Sequence, residues 1–381
     1  MQVPLLDLQR QNRPIESEIL AAFHRVLRSG HFILGSEVER FEQDAAALAG
    51  VPFGIGMSSG TDAILVALMA LGIGPGDEVI CPSFTFFATA GCIARLGARP
   101  VFADSRECCF NIDPGGIEKR ITNKTKAIIP VHLFGQPADL EPILDIARRH
   151  GLAVIEDAAQ AFGAKYRGQL VGSFGDFATV SFFPSKNLGA LGDAGLLLTG
   201  NPALAEKARL LRNHGMHPKY FHNMVGGNFR LDAVQAALLG VKLPHLAEYT
   251  ARRQEHMRTY NRALAPLQGR EEVELVLPQT HADRTHIANQ YTLRVQPGKR
   301  WHGAESPRDA LRQRLQERGI ASEIYYPIPL HRQECFQGFG PHPELPLAEA
   351  LAAEVISLPV FPELTPEEQE SVIKAVAEFV C

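Results

Sequence analysis

Two side chains in the 381-residue sequence stand where covalent chemistry could be done. Lys186 lies in FFPSKNLG, a turn-rich stretch between the apolar runs FATVSFF and GLLLTG. Alone it would read as a solvated surface lysine. Asp157 ends VIED, where a strand would run out towards the crevice in which open α/β sheets bind ligands. Alone it would read as a helix cap. Three further features change the weight of both. Ser58, Ser59, Gly60 and Thr61 precede the apolar pattern DAILVALMAL, so their hydroxyls and amides offer an anion site at a helix N-terminus. Ser181 lies five residues before Lys186, and Phe86 lies in the turn that follows the strand pattern DEVICP. A lysine amine, a carboxylate, a phosphate cradle and an aromatic face are the four parts that pyridoxal phosphate chemistry requires. The amine bonds the cofactor's aldehyde carbon, and the carboxylate keeps the pyridine nitrogen protonated so that the ring accepts electrons from a substrate carbon. Burial beside that site is expected to lower the lysine pKa towards the free amine.

The elements that must position these groups follow from the spacing of apolar residues. Residues 13 to 29 have helical spacing and end at Gly30; a second helix is expected over Ser36 to Ala49, with Ser36 as cap and Glu39 completing a capping box. Strand patterns then alternate with helical ones: DEVICP, RPVFAD, KAIIPVHLFG and LAVIEDAA between TFFATAGCIARLG, residues 114 to 121, and DLEPILDIARRHG. That alternation implies a sheet covered by helices on its faces. FATVSFFP and GLLLTG add two strands that bracket Lys186. After a helix beginning near Asp232 and a linking helix over Arg252 to Leu264, the strands QYTLRV and ASEIYY and two helices suit a smaller C-terminal domain. The expected division is residues 1–250 for a large cofactor-binding domain and 251–381 for the small one.

Thirty-eight basic and 42 acidic residues leave a net charge of -4, which disfavours a dedicated nucleic-acid binder. The cysteines at 81, 92, 108, 109, 335 and 381 form no C-x-x-C pair and are expected to be reduced thiols. The 14 histidines form no H-x-x-x-H pair and no cluster with cysteine at metal-ligand spacing, so no metal is expected. Gly72, Gly74 and Gly76 read as a helix-to-strand turn rather than a dinucleotide loop. The opening MQVPLLDLQRQNRPIE lacks the apolar core of a signal peptide, and the apolar stretch Ala63 to Leu71 is too short to span a bilayer. A cytoplasmic protein without membrane contact is expected.

Ten segments, GHFILG, SSGTDA, ICPSFTFFAT, PVFAD, PVHLFGQ, VIEDAAQAFGA, GDFATVSFFPSKNLGALGDAG, NHG, GGNFRLDAVQAALL and YYPIPLH, run through essentially the whole chain. Together they resemble the sugar aminotransferases of the DegT/DnrJ/EryC1/StrS family. The resemblance implies an α/β protein of the aspartate aminotransferase-like fold type I, with a mixed, mostly parallel seven-stranded sheet and a small C-terminal α/β domain. It implies Lys186 as the covalent and proton-shuttling amine, Asp157 at the pyridine nitrogen and Gln160 near the ring hydroxyl. Ser59, Gly60, Thr61 and Ser181 would hold the phosphate of pyridoxal 5'-phosphate, and Phe86 would stack on the ring. Asn228, in GGNFR, would reach the phosphate from a neighbouring subunit, making a homodimer with shared active sites.

The family usually takes L-glutamate as amino donor, leaving 2-oxoglutarate, and aminates a keto group of a nucleotide-linked hexose. YYPIPLHRQECF and NHGMHPKYFHNMVGGNFRLD resemble members that act on 3-keto sugars, which puts Tyr326 and His331 against the acceptor and implies a 3-amino nucleotide sugar as product. A 4-keto sugar or a cyclitol ketone is the alternative acceptor. Arg230 would contact an acidic donor or a sugar phosphate, or be a surface arginine. His132 would contact the acceptor or order its loop, and Asn289 and Gln290 would orient substrate hydroxyls or cap a strand. The resemblance extends to lysine-free dehydratases and to regulators, and the presence of Lys186 favours transamination over both.

Overall fold

A computed structural model describes residues 2–303 and 305–380 of the chain. Five strands come first: β1 (Phe53–Met57), β2 (Glu78–Pro82), β3 (Arg99–Ala103), β4 (Thr125–Ile128) and β5 (Ala153–Asp157). A short ribbon of β6 (Lys165–Tyr166) and β7 (Gln169–Leu170) precedes β8 (Phe177–Ser181) and β9 (Gly195–Thr199). Seven of these form one sheet in the order β1-β9-β8-β5-β4-β2-β3. Strand β9 is antiparallel to both its neighbours, and every other pairing in the sheet is parallel. The exception has a local cause. The loop between β8 and β9 carries no helix, so the chain turns straight back, whereas parallel neighbours need a long crossover. All five residues of β2 and of β9 are buried, as a sheet covered on both faces requires. The helix Gly60–Ala70 is apolar almost all round because it too is buried on nearly every side, from Ala63 through Leu68.

A second sheet of three antiparallel strands, β10 (Val273–Val276), β11 (Tyr291–Pro297) and β12 (Val355–Leu358), is ordered β10-β11-β12. The helix Leu246–Leu264 leads to it and sends Met257, Tyr260 and Leu264 into its core. Contacts at long range knit the two parts together. Val3 pairs with Ile320 and joins the C-terminal core, while Leu330, Phe336, Leu345 and Leu351 return to the core of the large sheet.

Three local expectations fail for identifiable reasons. Ser36 begins its helix rather than capping it; the cap is Gly35, at φ 85°, with no side-chain hydrogen bond, so no capping box forms. ASEIYY makes only the single bridge Glu323–Ser357, because Pro327 and Pro329 follow at once and cannot donate to a ladder. Its place in the small sheet is taken by β12. KAIIPVHLFG stops as a strand at Ile128, just short of Pro130. Five cysteines are free thiols, and Cys381 lies outside the described residues. Among the described residues no helix is long and apolar enough to cross a membrane.

Candidate active site

Sheet direction alone gathers the candidate residues. Strands β5 and β8 run parallel with Asp157 opposite Thr179, and β8 ends with Ser181 opposite Gly195. Because β1 and β8 both run antiparallel to β9, Met57 also ends opposite Gly195. The turn 58–61, Ser181, Asp157 and the loop bearing Lys186 therefore emerge at one edge, outside the carboxyl ends of the strands.

The anion cradle is built from close backbone approach. Ser59 caps the helix Gly60–Ala70 by accepting from the Asp62 amide (3.0 Å), and Ser58 Oγ donates to Asp62 Oδ2 (2.6 Å). A Cβ on Gly60 would lie 2.7 Å from Ser181 Cβ, and one on Gly195 would lie 2.3 Å from the Ser59 carbonyl oxygen. Glycine at both positions is what lets the helix N-terminus and the end of β8 meet. Ser59, Gly60, Thr61 and Ser181 thus share one small region, at the positive end of a helix.

Asp157 is buried. Its Oδ2 accepts from Thr89 Oγ1 (2.9 Å) and its Oδ1 from the Ala159 amide (3.2 Å). Burial raises its carboxyl above the ordinary aspartate range against these two hydrogen bonds; a cationic ring nitrogen is the partner that would reverse this. Gln160 Oε1 accepts from the Phe134 amide (2.6 Å), and its Nε2 donates to the Tyr326 hydroxyl (3.2 Å). The Tyr326 ring meets Phe84 edge-on at 6.0 Å and Phe86 at 6.2 Å. Phe86 itself is exposed, a large aromatic face with little of this chain over it.

Lys186 is held by a turn in which its amide donates to the Phe183 carbonyl (2.8 Å). Burial pushes its amine down to about 8 from the ordinary 10.5, with the charge of Asp157 acting in the opposite direction. The lysine lines a small cavity together with Gln160, Ser181, Asn187 and Asn289. Two buried oxygens at this cavity, Asn187 Oδ1 and Asn289 Oδ1, have no hydrogen-bond partner. Buried polar atoms are rarely left so, and two on one cavity mark a place for a polar ligand. The glycine-lined cradle, the amine and the buried carboxylate fit pyridoxal 5'-phosphate.

Thr89 and Asn187 went unnoticed in the sequence. Thr89 carried a signal, since it lies three residues after Phe86 in a helical pattern; Asn187 carried none beyond its neighbour.

Four expected residues are placed differently from the rest. His132 is fully buried: its Nδ1 accepts from the Ala138 amide (3.0 Å) and its Nε2 donates to Glu156 Oε2 (3.1 Å). No nitrogen is left for an acceptor, so the ring orders its loop. Burial alone would raise the Glu156 carboxyl, but His132 and the Gly172 and Gly175 amides outweigh it and hold the group below the ordinary range. His331 is likewise buried, with Nδ1 2.6 Å from Ser83 Oγ and Nε2 3.0 Å from Glu349 Oε1. It staples the 325–333 loop to the end of β2 rather than facing a sugar. Arg230 donates from Nη1 to Asn213 Oδ1 (2.8 Å), and its buried Nε has no partner. Asn228 is exposed and pairs through its backbone with Asn213, not with the cradle of its own chain.

Residues 13–377 match the DegT/DnrJ/EryC1/StrS aminotransferase family. The chain belongs to that family. It is an enzyme with the fold of the type I aminotransferases, and its cofactor is pyridoxal 5'-phosphate. A protein of Geobacillus stearothermophilus called a pleiotropic regulatory protein is 51% identical over 381 residues, covering 100% of this chain and 99% of that one. The UDP-N-acetyl-3-dehydro-alpha-D-glucosamine 3-aminotransferase of Acidithiobacillus ferrooxidans is 46% identical, covering 96% of this chain and 95% of its own. The crystal structure of S. venezuelae DesV in complex with a ketimine intermediate superposes with a TM-score of 0.93 at 42% identity, over 100% of this chain and 98% of that one.

Proposed function

We propose that this family member transfers an amino group from L-glutamate to a 3-keto nucleotide-linked hexose, giving a 3-amino nucleotide sugar and 2-oxoglutarate. The observation that carries the reaction type is the Lys186 amine, lowered by burial to about 8 and near enough to Asp157 to feel the charge of its carboxylate. Bound pyridoxal phosphate supplies an electron sink for the substrate carbon and a carrier for the amino group. Asp157 holds a proton on the pyridine nitrogen. Lys186 Nζ takes the proton from the substrate carbon and returns it on the other side of the exchange, which a lysine of ordinary pKa does poorly at neutral pH. The amides at Gly60 and Thr61 and the Ser181 hydroxyl anchor the phosphate, and Phe86 covers one ring face. Tyr326, tied to Gln160, is the acceptor contact. The free donors of Arg230 suit an acidic donor or a sugar phosphate.

The site is completed by a second copy of the chain, whose Asn228 reaches the phosphate. Exposed Leu20, Phe23 and Leu27 on one face of the helix Glu16–Ser29, with exposed Phe86 and Phe87 beside the site, support such an interface. The five free thiols support a cytoplasmic setting.

The 3-keto preference rests on the likeness of residues 325–336 to that subgroup and on the substrate of the A. ferrooxidans relative. A regulatory reading is favoured by the name of the G. stearothermophilus relative, but it leaves Lys186 and the cradle without a task. Turnover with glutamate and matched 3-keto and 4-keto nucleotide sugars decides between these readings. A preference for the 3-keto acceptor of about tenfold or more, some 1.4 kcal/mol in the barrier, is expected. Equal turnover removes the positional assignment, and no turnover with either favours the regulator.

A further inference from the structure

The loop after β3 carries Cys108 and Cys109, and the segment before β11 carries His281, 173 positions from Cys108. Spacing in the sequence gave no warning of a cluster, yet the fold assembles one. One ligand atom from each residue lies within 4.8 Å of the others, and His281 Nε2 is 3.2 Å from Cys108 Sγ. We propose that Cys108, Cys109 and His281 bind one thiophilic divalent cation of the zinc class, with a fourth position open to the adjoining cavity.

The donor set is that of a Cys2His zinc site. With metal–sulfur bonds of about 2.3 Å and metal–nitrogen bonds of about 2.0 Å, a tetrahedral ion sets sulfur and nitrogen about 3.5 Å apart and the two sulfurs about 3.8 Å apart. The observed geometry needs adjustments of a few tenths of an ångström at the Cys108–His281 edge. Both supporting segments are fixed independently of any ion. The cysteine loop is closed by the Ser105–Ile112 bridge and by the Phe110 amide donating to the Arg106 carbonyl (2.8 Å). The His281 amide donates to Gln136 Oε1 (3.0 Å), and Gln136 Nε2 in turn donates to the Gln279 carbonyl (2.8 Å). Such outer contacts orient metal ligands before the ion arrives.

Nearby cations do not oppose the ion, because acids already engage them. Arg106 pairs with Asp139 (2.7 Å), and Arg284 pairs with Asp283 (2.7 Å) and Asp139 (3.4 Å). Two thiolates and an imidazole around a divalent ion make a neutral unit. A small cavity beside the cysteines is lined also by Gln136, Gln279 and His286, so a water ligand has polar neighbours. The bound ion would cross-link the loop after β3 to the segment entering the C-terminal sheet, alongside the Arg294–Glu107 ion pair (2.6 Å). That cross-link is separate from transamination at Lys186.

The test uses the holoenzyme. Chelator-treated protein is dialysed against Zn2+ and desalted, and metal is measured by elemental analysis, with cofactor absorbance confirming that each variant is folded. About one zinc ion per chain is expected for the wild type and for Cys335→Ser, which alters an exposed thiol outside the cluster. Less than about a tenth of that is expected for Cys109→Ser and for His281→Gln. Zinc should also raise the thermal midpoint of the wild type and leave that of His281→Gln unmoved. Should Cys109→Ser lose its cofactor, the partly exposed His281 decides the matter. A wild type that takes up no zinc overturns the proposal, and so does zinc retained equally by His281→Gln. Loss of two titratable thiols under air without metal uptake also overturns it, in favour of a redox pair.

Discussion

Lys186 and Asp157 could be singled out in the sequence because their proposed chemistry is a property of residue type and of position near a strand end. A lysine in a turn between two buried strands is drawn away from water, and burial lowers its amine to about 8. The neutral amine is the reactive form, so its fraction grows with pH up to that value and levels off above it. The rate at which pyridoxal phosphate bonds to the apoenzyme, followed by absorbance, should rise about tenfold per pH unit below about 8 and then flatten. A rate that still climbs towards pH 10 would show a lysine of ordinary acidity. His132 and His331 were not legible in the same way. Whether an imidazole faces a ligand or is consumed by the core depends on neighbours such as Glu156, Ser83 and Glu349, which only the tertiary structure supplies.

At the scale of elements, the decisive junction is the helix start at Gly60 against the end of β8 and the Ser59 carbonyl against Gly195. Strands, helices and the turn between them were readable from apolar periodicity; the close approach was not, since no local pattern reports what a glycine's missing side chain would strike. Gly60→Ala places a methyl 2.7 Å from Ser181 Cβ, so one of the two backbones must withdraw. Overpacking of this kind costs about 1–3 kcal/mol. Because the strain falls on the cradle, the dissociation constant for pyridoxal phosphate should rise about fivefold or more. Equilibrium titration of the apoprotein measures it, and an unchanged constant would place the phosphate elsewhere. The misread cap at Ser36 and the failed strand ASEIYY teach the complementary lesson. Motif patterns name plausible local partners, but Gly35 and the prolines at 327 and 329 decide which backbone geometry is available.

At the scale of the whole molecule, the alternating pattern gave six strands of the large sheet and the family resemblance its count of seven, while β1, the two outer strands of the small sheet and the contacts that join the sheets stayed hidden. Val3 against Ile320, the return of residues 330–351 to the large core, and Cys108 beside His281 all link positions too far apart for any periodicity to connect. A shared active site is a claim at this scale, and mixing subunits tests it. In a heterodimer of K186A and N228A chains, one site combines the intact Lys186 of one protomer with the intact Asn228 of its partner. Equal mixing with free exchange should restore about a quarter of wild-type activity; no recovery would mean that each chain supplies its own phosphate contacts. The central claim, that Lys186 drives amino transfer from an acidic donor, is tested most directly by a single half-reaction. Holoenzyme given L-glutamate without acceptor should release about one 2-oxoglutarate per chain as its yellow absorbance bleaches, and K186A should release almost none. Equal release by both proteins, or none by the wild type, would contradict the account.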